Sequence, residues 1–237
     1  MPAKFRVRTI PLIATVLLVT LGVALGQWQV HRAQQKEALA ARMVARSALP
    51  PLTVGSAPMP VALGEYRRLV VSGEFRADWP LYLDNRPHDG AAGFYVLMPL
   101  RIAGSDRYLL VARGWTPRNI TERTRIQPVS TPVGMVRIEG VGRRNPGRLL
   151  QLGHAQALHP GAILQNLDIE QLAVASGLAL QPFVLEQSSD TGDGLLRDWP
   201  LPSSGAATNW GYAFQWYALA LMALLFFIIT GFRHGNK

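Results

Sequence analysis

Two uncharged apolar runs, one near each end of the chain, constrain its fold more than any other feature. The first is Ile10–Gly26, IPLIATVLLVTLGVALG; the second is Trp210–Phe232, WGYAFQWYALALMALLFFIITGF. A helix rises 1.5 Å per residue, so about 17–25 apolar residues cross the hydrocarbon core of a bilayer. Both runs meet that length, and the stretch between them has ordinary mixed polarity. The pattern predicts two membrane spans around one water-facing domain. A cleavable signal peptide is the rival reading of the first run, because Ala24-Leu25-Gly26 loosely resembles a small-residue cleavage site. The run, however, exceeds the usual apolar core of about 7–15 residues in such a peptide.

Charge placement sets the orientation. The chain carries 24 Lys and Arg against 15 Asp and Glu, a net charge of +9. Lys4, Arg6 and Arg8 precede the first run, and Arg233 and Lys237 follow the second, whose other flank has only Arg197 nearby. Cytoplasmic flanks carry the excess of Lys and Arg, so the C-terminus is expected inside. Arg32, Lys36, Arg42 and Arg46 compete with the basic start of the chain, but two spans return the N-terminus to the same side. The expected order is a cytoplasmic N-terminus (1–9), a span (10–28), an extracytoplasmic domain (29–208), a second span (209–232) and a cytoplasmic C-terminus (233–237). In a bacterium this is a multi-pass inner-membrane protein with a periplasmic domain. The basic excess therefore reads as topology signal and attraction to anionic lipid, not as a nucleic-acid surface. Trp210, Tyr212, Trp216 and Tyr217 form an aromatic belt at the outer end of the second run, and Gln215 is its one strongly polar side chain. A partner helix and interfacial water both remain open for that amide.

Between the spans, Gln29–Ser47 lacks Gly and Pro and continues the first helix until Pro50 and Pro51 stop it. Strand signals then dominate: Tyr66–Phe75, Trp79–Asp84, Tyr95–Ile102, Arg107–Arg113, Met135–Gly142 and Phe183–Gln187, with a hairpin around Ala103–Asp106. One helix is predicted over Asp168–Ser176, with Asp168 as N-cap and Gly177 as its stop. The fold class expected is α+β: two transmembrane helices flanking a mainly antiparallel, barrel-like extracytoplasmic β-domain.

The residues show no catalytic constellation. No nucleophile elbow, zinc-protease motif, phosphate loop or dinucleotide fingerprint is present, and His31, His88, His154, His159 and His234 fall into no metal-ligand spacing. The absence of cysteine excludes disulfides and thiol chemistry. No catalytic residue and no metal site are predicted. Three polar-aromatic clusters remain. Trp28, Arg32 and Lys36 are spaced by four along one helical face. Arg113-Gly114-Trp115 ends an apolar strand, where Arg113 can pair with a carboxylate over a packed Trp115 or bind an anion. Asn209, Tyr212 and Trp216 share the mouth of the second span.

These clusters, in this order, resemble the surfeit locus protein 1 family of cytochrome c oxidase assembly factors. The resemblance runs from Leu25-Gly26-Gln27-Trp28-Gln29 with Arg32 and Lys36, through Tyr66, Gly73 and Phe75. It continues in Leu83-Asp84-Asn85-Arg86, Gly93 and Pro99-Leu100, and is densest at Val111-Ala112-Arg113-Gly114-Trp115-Thr116-Pro117. It ends with Gln165-Asn166-Leu167-Asp168 and Tyr212-Ala213-x-Gln215-Trp216. It implies a non-enzymatic role in building haem-copper oxidase, assisting transient haem a delivery to the catalytic subunit alongside other oxidase assembly or haem a synthesis proteins. Some bacterial members are described as binding haem a through a histidine at the outer end of the second span. Aligned on Tyr212-Ala213, that position is Asn209 here. Trp28, His31, Asn209, Tyr212 and Trp216 are the candidate haem-groove residues, with His31 as a substitute ligand if the spans pack together. Arg32, Lys36, Arg86, Arg113, Gly114, Trp115 and Gln215 are candidate partner or structural positions. A membrane-anchored envelope enzyme and a structural envelope scaffold stand as the alternatives.

Overall fold

The computed structural model describes residues 7–119, 121–122, 125–147, 149, 156–199 and 205–235. Lys4, Arg6, His154 and Lys237 lie outside them, as do the side chains of Arg233 and His234. The chain divides into two compact units: the end segments (Met1–Arg42 with Leu201–Lys237) and the middle (Met43–Pro200).

The end unit holds α4 (Ala206–Gly235) and all of α1 (Thr9–Ser47) up to Arg42; the last residues of α1 belong to the middle unit. With no proline after Pro11 and no glycine after Gly26, nothing interrupts α1 until the Pro50-Pro51 pair. Both helices are long and apolar enough to cross a membrane. Their large apolar side chains face outward: Leu17 is 65% exposed, Phe214 75% and Phe226 70%. Soluble helices bury such side chains, so this surface is consistent with a two-span membrane protein.

The middle unit is an eight-stranded sheet with two short helices against it. Its strands are β1 (Leu52–Thr53), β2 (Arg68–Phe75), β3 (Leu81–Leu83), β4 (Gly93–Ile102), β5 (Arg107–Pro117), β6 (Met135–Arg143), β7 (Ile163–Leu164) and β8 (Ala179–Gln187). The order is β1-β2-β6-β8-β5-β4-β3-β7, with an additional β2–β4 pairing. Among the described residues β1–β2, β3–β7 and β5–β8 pair in parallel, and the other ladders are antiparallel. This corrects the expectation of a mainly antiparallel barrel: the sheet is mixed. Antiparallel hairpins leave a local trace, as β4 and β5 do around Ala103–Asp106. Parallel neighbours need a long crossover, and nothing local in β5 announces β8 some seventy residues later.

Period-two side-chain alternation sends the long strands' residues to two cores. One face packs Leu69, Val71, Phe75, Leu100, Leu109, Val111, Ile138, Phe183 and Leu185. The other packs Leu81, Leu83, Leu97, Leu110, Ala112 and Val184 with Leu167 and Leu172 beside helix α3 (Ile169–Ser176). That helix starts as its sequence requires: the Asp168 carboxylate accepts the N–H groups of Glu170 and Gln171, and Gly177 ends it in the left-handed region at φ 68°. A short helix α2 (Val61–Gly64) was not foreseen. The Arg46 guanidinium at the end of α1 caps it, donating to the carbonyls of Ala62, Leu63 and Glu65 at 2.7–2.9 Å.

Candidate functional site

Two clusters draw the motif residues together, one in each unit. The first is the seam between α1 and α4. Gly22, Gly26 and Ala33 are the buried residues of α1; Ala206, Ala213 and Ala220 are buried on α4. Gly22 and Gly26 are a small-x-x-x-small pair, the pattern that lets transmembrane helices approach closely. The approach here is close enough to exclude any side chain. A Cβ on Gly22 would lie 2.9 Å from Ala220 Cβ, and one on Gly26 would lie 2.6 Å from the Tyr217 ring.

Toward the N-terminal end of α4 the seam turns polar. Lys36 Nζ donates to Asn209 Oδ1 at 2.7 Å, and Asn209 Nδ2 donates to Gln29 Oε1 at 2.5 Å. Trp210 Nε1 donates to Glu37 at 2.7 Å, and Tyr217 Oη donates to Gln27 at 3.2 Å. Of the anticipated groove, only Asn209 sits in this seam with a partner from the facing helix. Trp216 is half-buried, and its carbonyl oxygen would stand 3.0 Å from a Cβ on Gly22. Trp28, 54% exposed, faces outward with the Arg32 guanidinium 5.8 Å above its ring; Tyr212 is 49% exposed and Gln215 is exposed. His31 is exposed and hydrogen-bonded to Gln35 at 2.9 Å. It lies two residues, about 200° of helical turn, from both Gln29 and Ala33, so it points away from Asn209.

This geometry bears on haem. Protein ligands to haem iron are His, Met, Cys or Tyr. Asn209 offers a weak carbonyl oxygen already held by an ammonium, and His31 is on the far side of α1. The residues at the family's ligand position therefore do not fit axial ligation.

The second cluster surrounds Arg113. Leu97 pairs with Ala112 and Val96 with Gly114, so Arg113 is the extra residue of a β-bulge, a device that re-aims a side chain. Arg113 is fully buried. Its guanidinium donates to Thr131 Oγ1 at 2.8 Å, to the Ser130 carbonyl at 2.7 Å and to Asp193 Oδ2 at 2.7 Å, and lies 4.8 Å over the Phe75 ring. Asp193, whose side chain is also fully buried, is gripped by Arg197 through both oxygens at 2.7 Å and by Thr191 at 2.9 Å. Burial alone would raise the Asp193 carboxyl. The hydrogen bonds from Arg197, the Leu195 N–H and Thr191 outweigh it and hold the group below the ordinary carboxylate value. Gly114 lets the 195–196 backbone cross: a Cβ there would meet Leu195 Cβ and the Leu196 carbonyl at 2.7 Å. Trp115 exchanges two backbone hydrogen bonds with Leu196. Arg113 is thus the ion-paired clamp on the 190–199 segment, one of the two readings its sequence left open.

Trp115 stands beside Arg86. Its Nε1 donates to the Arg86 carbonyl at 2.7 Å, and its indole lies against Gly93, where a Cβ would overlap it. Arg86 is buried and donates to the carbonyls of Gly147 and Gln165 at 3.0 and 3.1 Å, with its guanidinium 5.7 Å over Tyr95. Burial lowers its affinity for the proton, partly offset by Tyr95 and Asp84. The motif residues of the middle unit therefore bind one another and the connecting loops. Gly22 and Asp193 were missed; Gly26 and Gln29 stood in the resembling block, and Arg197 at the flank of the second run, without the contacts found here. The glycine pair was visible as a small-x-x-x-small pattern in an apolar run; nothing marked the carboxylate eighty positions beyond Arg113.

The model of the SURF1 family matches residues 16–221. A SURF1-like protein of Monosiga brevicollis is 28% identical over 243 aligned positions, covering 94% of this chain and 87% of the relative. One from Rickettsia bellii is 27% identical, covering 92% and 88%. One from Drosophila melanogaster is 26% identical, covering 75% and 63%.

Proposed function

The chain belongs to the SURF1 family, and on that premise we propose that it is an assembly factor for haem-copper cytochrome c oxidase, assisting haem a delivery or insertion into the catalytic subunit. The observation that carries this reading is the extent of the match. Residues 16–221 take in most of the apolar part of α1, the whole sheet unit and the first half of α4, so one match runs across both units. In this reading α1 and α4 span a bacterial inner membrane, with 29–208 on the periplasmic side and both termini in the cytoplasm. The factor is not an enzyme; it docks beside the membrane-embedded catalytic subunit and works with other assembly or haem a synthesis proteins. The outward aromatic side chains Trp28 and Tyr212 give the outer ends of the spans a face suited to a large apolar partner. No iron ligand is assigned to it. The close seam supports retention of the first span, since cleavage after Gly26 would strip α4 of its packed partner.

The test is capture of the tagged full-length chain from detergent-solubilised membranes of cells assembling the oxidase. The catalytic subunit is expected to co-purify while assembly proceeds and to be lost once it is complete. A chain that never captures that subunit, even after in-membrane cross-linking, would count against the reading.

A further inference from the structure

The polar residues of the α1–α4 seam form one connected set. Asn209 is satisfied at both ends of its amide, by an ammonium on Oδ1 and by a glutamine carbonyl on Nδ2. Both partners come from α1, and Gln29 and Lys36 are seven residues apart, so they lie on the same face as the buried Ala33 between them. A hydrogen bond from a charged donor is stronger than a neutral one. A single asparagine at a helix–helix contact can specify the register of the pair, which non-directional alkyl packing specifies less well. Inward of this layer, Gly26 against Tyr217 and Gly22 against Ala220 leave no room for a further side chain, still less for a porphyrin between the helices.

We infer that Gln29, Asn209 and Lys36 are an interhelical lock that sets the register of the membrane pair, and that the residue at the family's histidine position is committed to this lock instead of to haem iron. An amide nitrogen has no basic lone pair to give a metal. Using Oδ1, a weak ligand, would place an iron cation beside the Lys36 ammonium that the same oxygen already binds. The inference concerns this chain's own residues and does not rest on the assembly-factor reading.

Because the protein has no cysteine, two can be introduced cleanly for spin labels. Gln34 of α1 and Gly211 of α4 are exposed, and a side chain at Gly211 meets nothing. In the full-length protein in lipid nanodiscs, the distance distribution between the labels should be narrow. It should broaden in Asn209→Ala, which removes both bonds, and in Lys36→Met, which keeps the amide and so guards against a folding defect. Titration with haem should leave the narrow distribution unchanged, and the added haem should keep the visible spectrum it has with nanodiscs that carry no protein. An identical distribution in both variants would overturn the lock. A stoichiometric bound-haem spectrum that Asn209→Ala abolishes would overturn the exclusion of iron.

Discussion

At the scale of single residues, Arg113 is the position where the sequence says most and tells least. Its neighbours Gly114 and Trp115 mark a special site, and an apolar strand ending in Arg announces either a buried ion pair or an anion site. The choice lay with Asp193, which is 80 positions away and sits in a segment without periodic pattern. Removing one member of a buried pair strands the other charge, at a cost of about 3–5 kcal/mol. Asp193→Asn should therefore destabilise the full-length protein by that order, measured by denaturant unfolding in micelles. The same carboxylate gives a pH signature. Its folded pKa lies below its unfolded value, so the stabilisation is complete above about pH 4, the unfolded carboxylate value, and is lost as pH falls through the depressed folded value. Wild type should lose thermal stability on acidification below about pH 4 more steeply than Asp193→Asn. Parallel acid limbs in the two proteins would contradict this. Glu186 runs the other way. Burial raises it, against the opposing Arg143 pair, so its contribution is complete below its unfolded pKa and declines as pH rises through the raised one.

At the scale of elements, what was legible had a local cause. The apolar runs became α1 and α4, the Asp168 cap and Gly177 stop bounded α3, and the β4–β5 hairpin closed around Ala103–Asp106. The two-residue strands β1 and β7 were not legible, because each exists only by pairing in parallel with a distant strand. The start of β8 was missed because Pro182 lies inside it, and a proline demotes a strand reading. The helix pair was legible in number but not in contact: charge and length say that two spans exist, not that Gly22 and Gly26 are the surface on which they meet. That surface makes a sharp contrast. Gly26→Leu would drive a side chain into the Tyr217 ring, at an overpacking cost of about 1–3 kcal/mol, and should lower oxidase assembly together with seam cross-linking. Gly211→Leu, placed where nothing lies within 4 Å, should leave both intact. Equal effects of the two substitutions would show that the seam is not the sensitive surface.

At the scale of the whole molecule, the chain joins a mixed sheet unit, whose motif residues hold one another in place, to a pair of apolar helices. Near the N-terminal end of α4 the helix seam is hydrogen-bonded shut at Asn209. The most direct test of the assembly role is the reduced-minus-oxidised haem a spectrum, with cytochrome c oxidase activity, in membranes of a strain lacking this chain. Both should fall together while the other cytochromes persist, and both should return when the full-length chain is restored. Unchanged haem a content and activity in the deletion strain would contradict it.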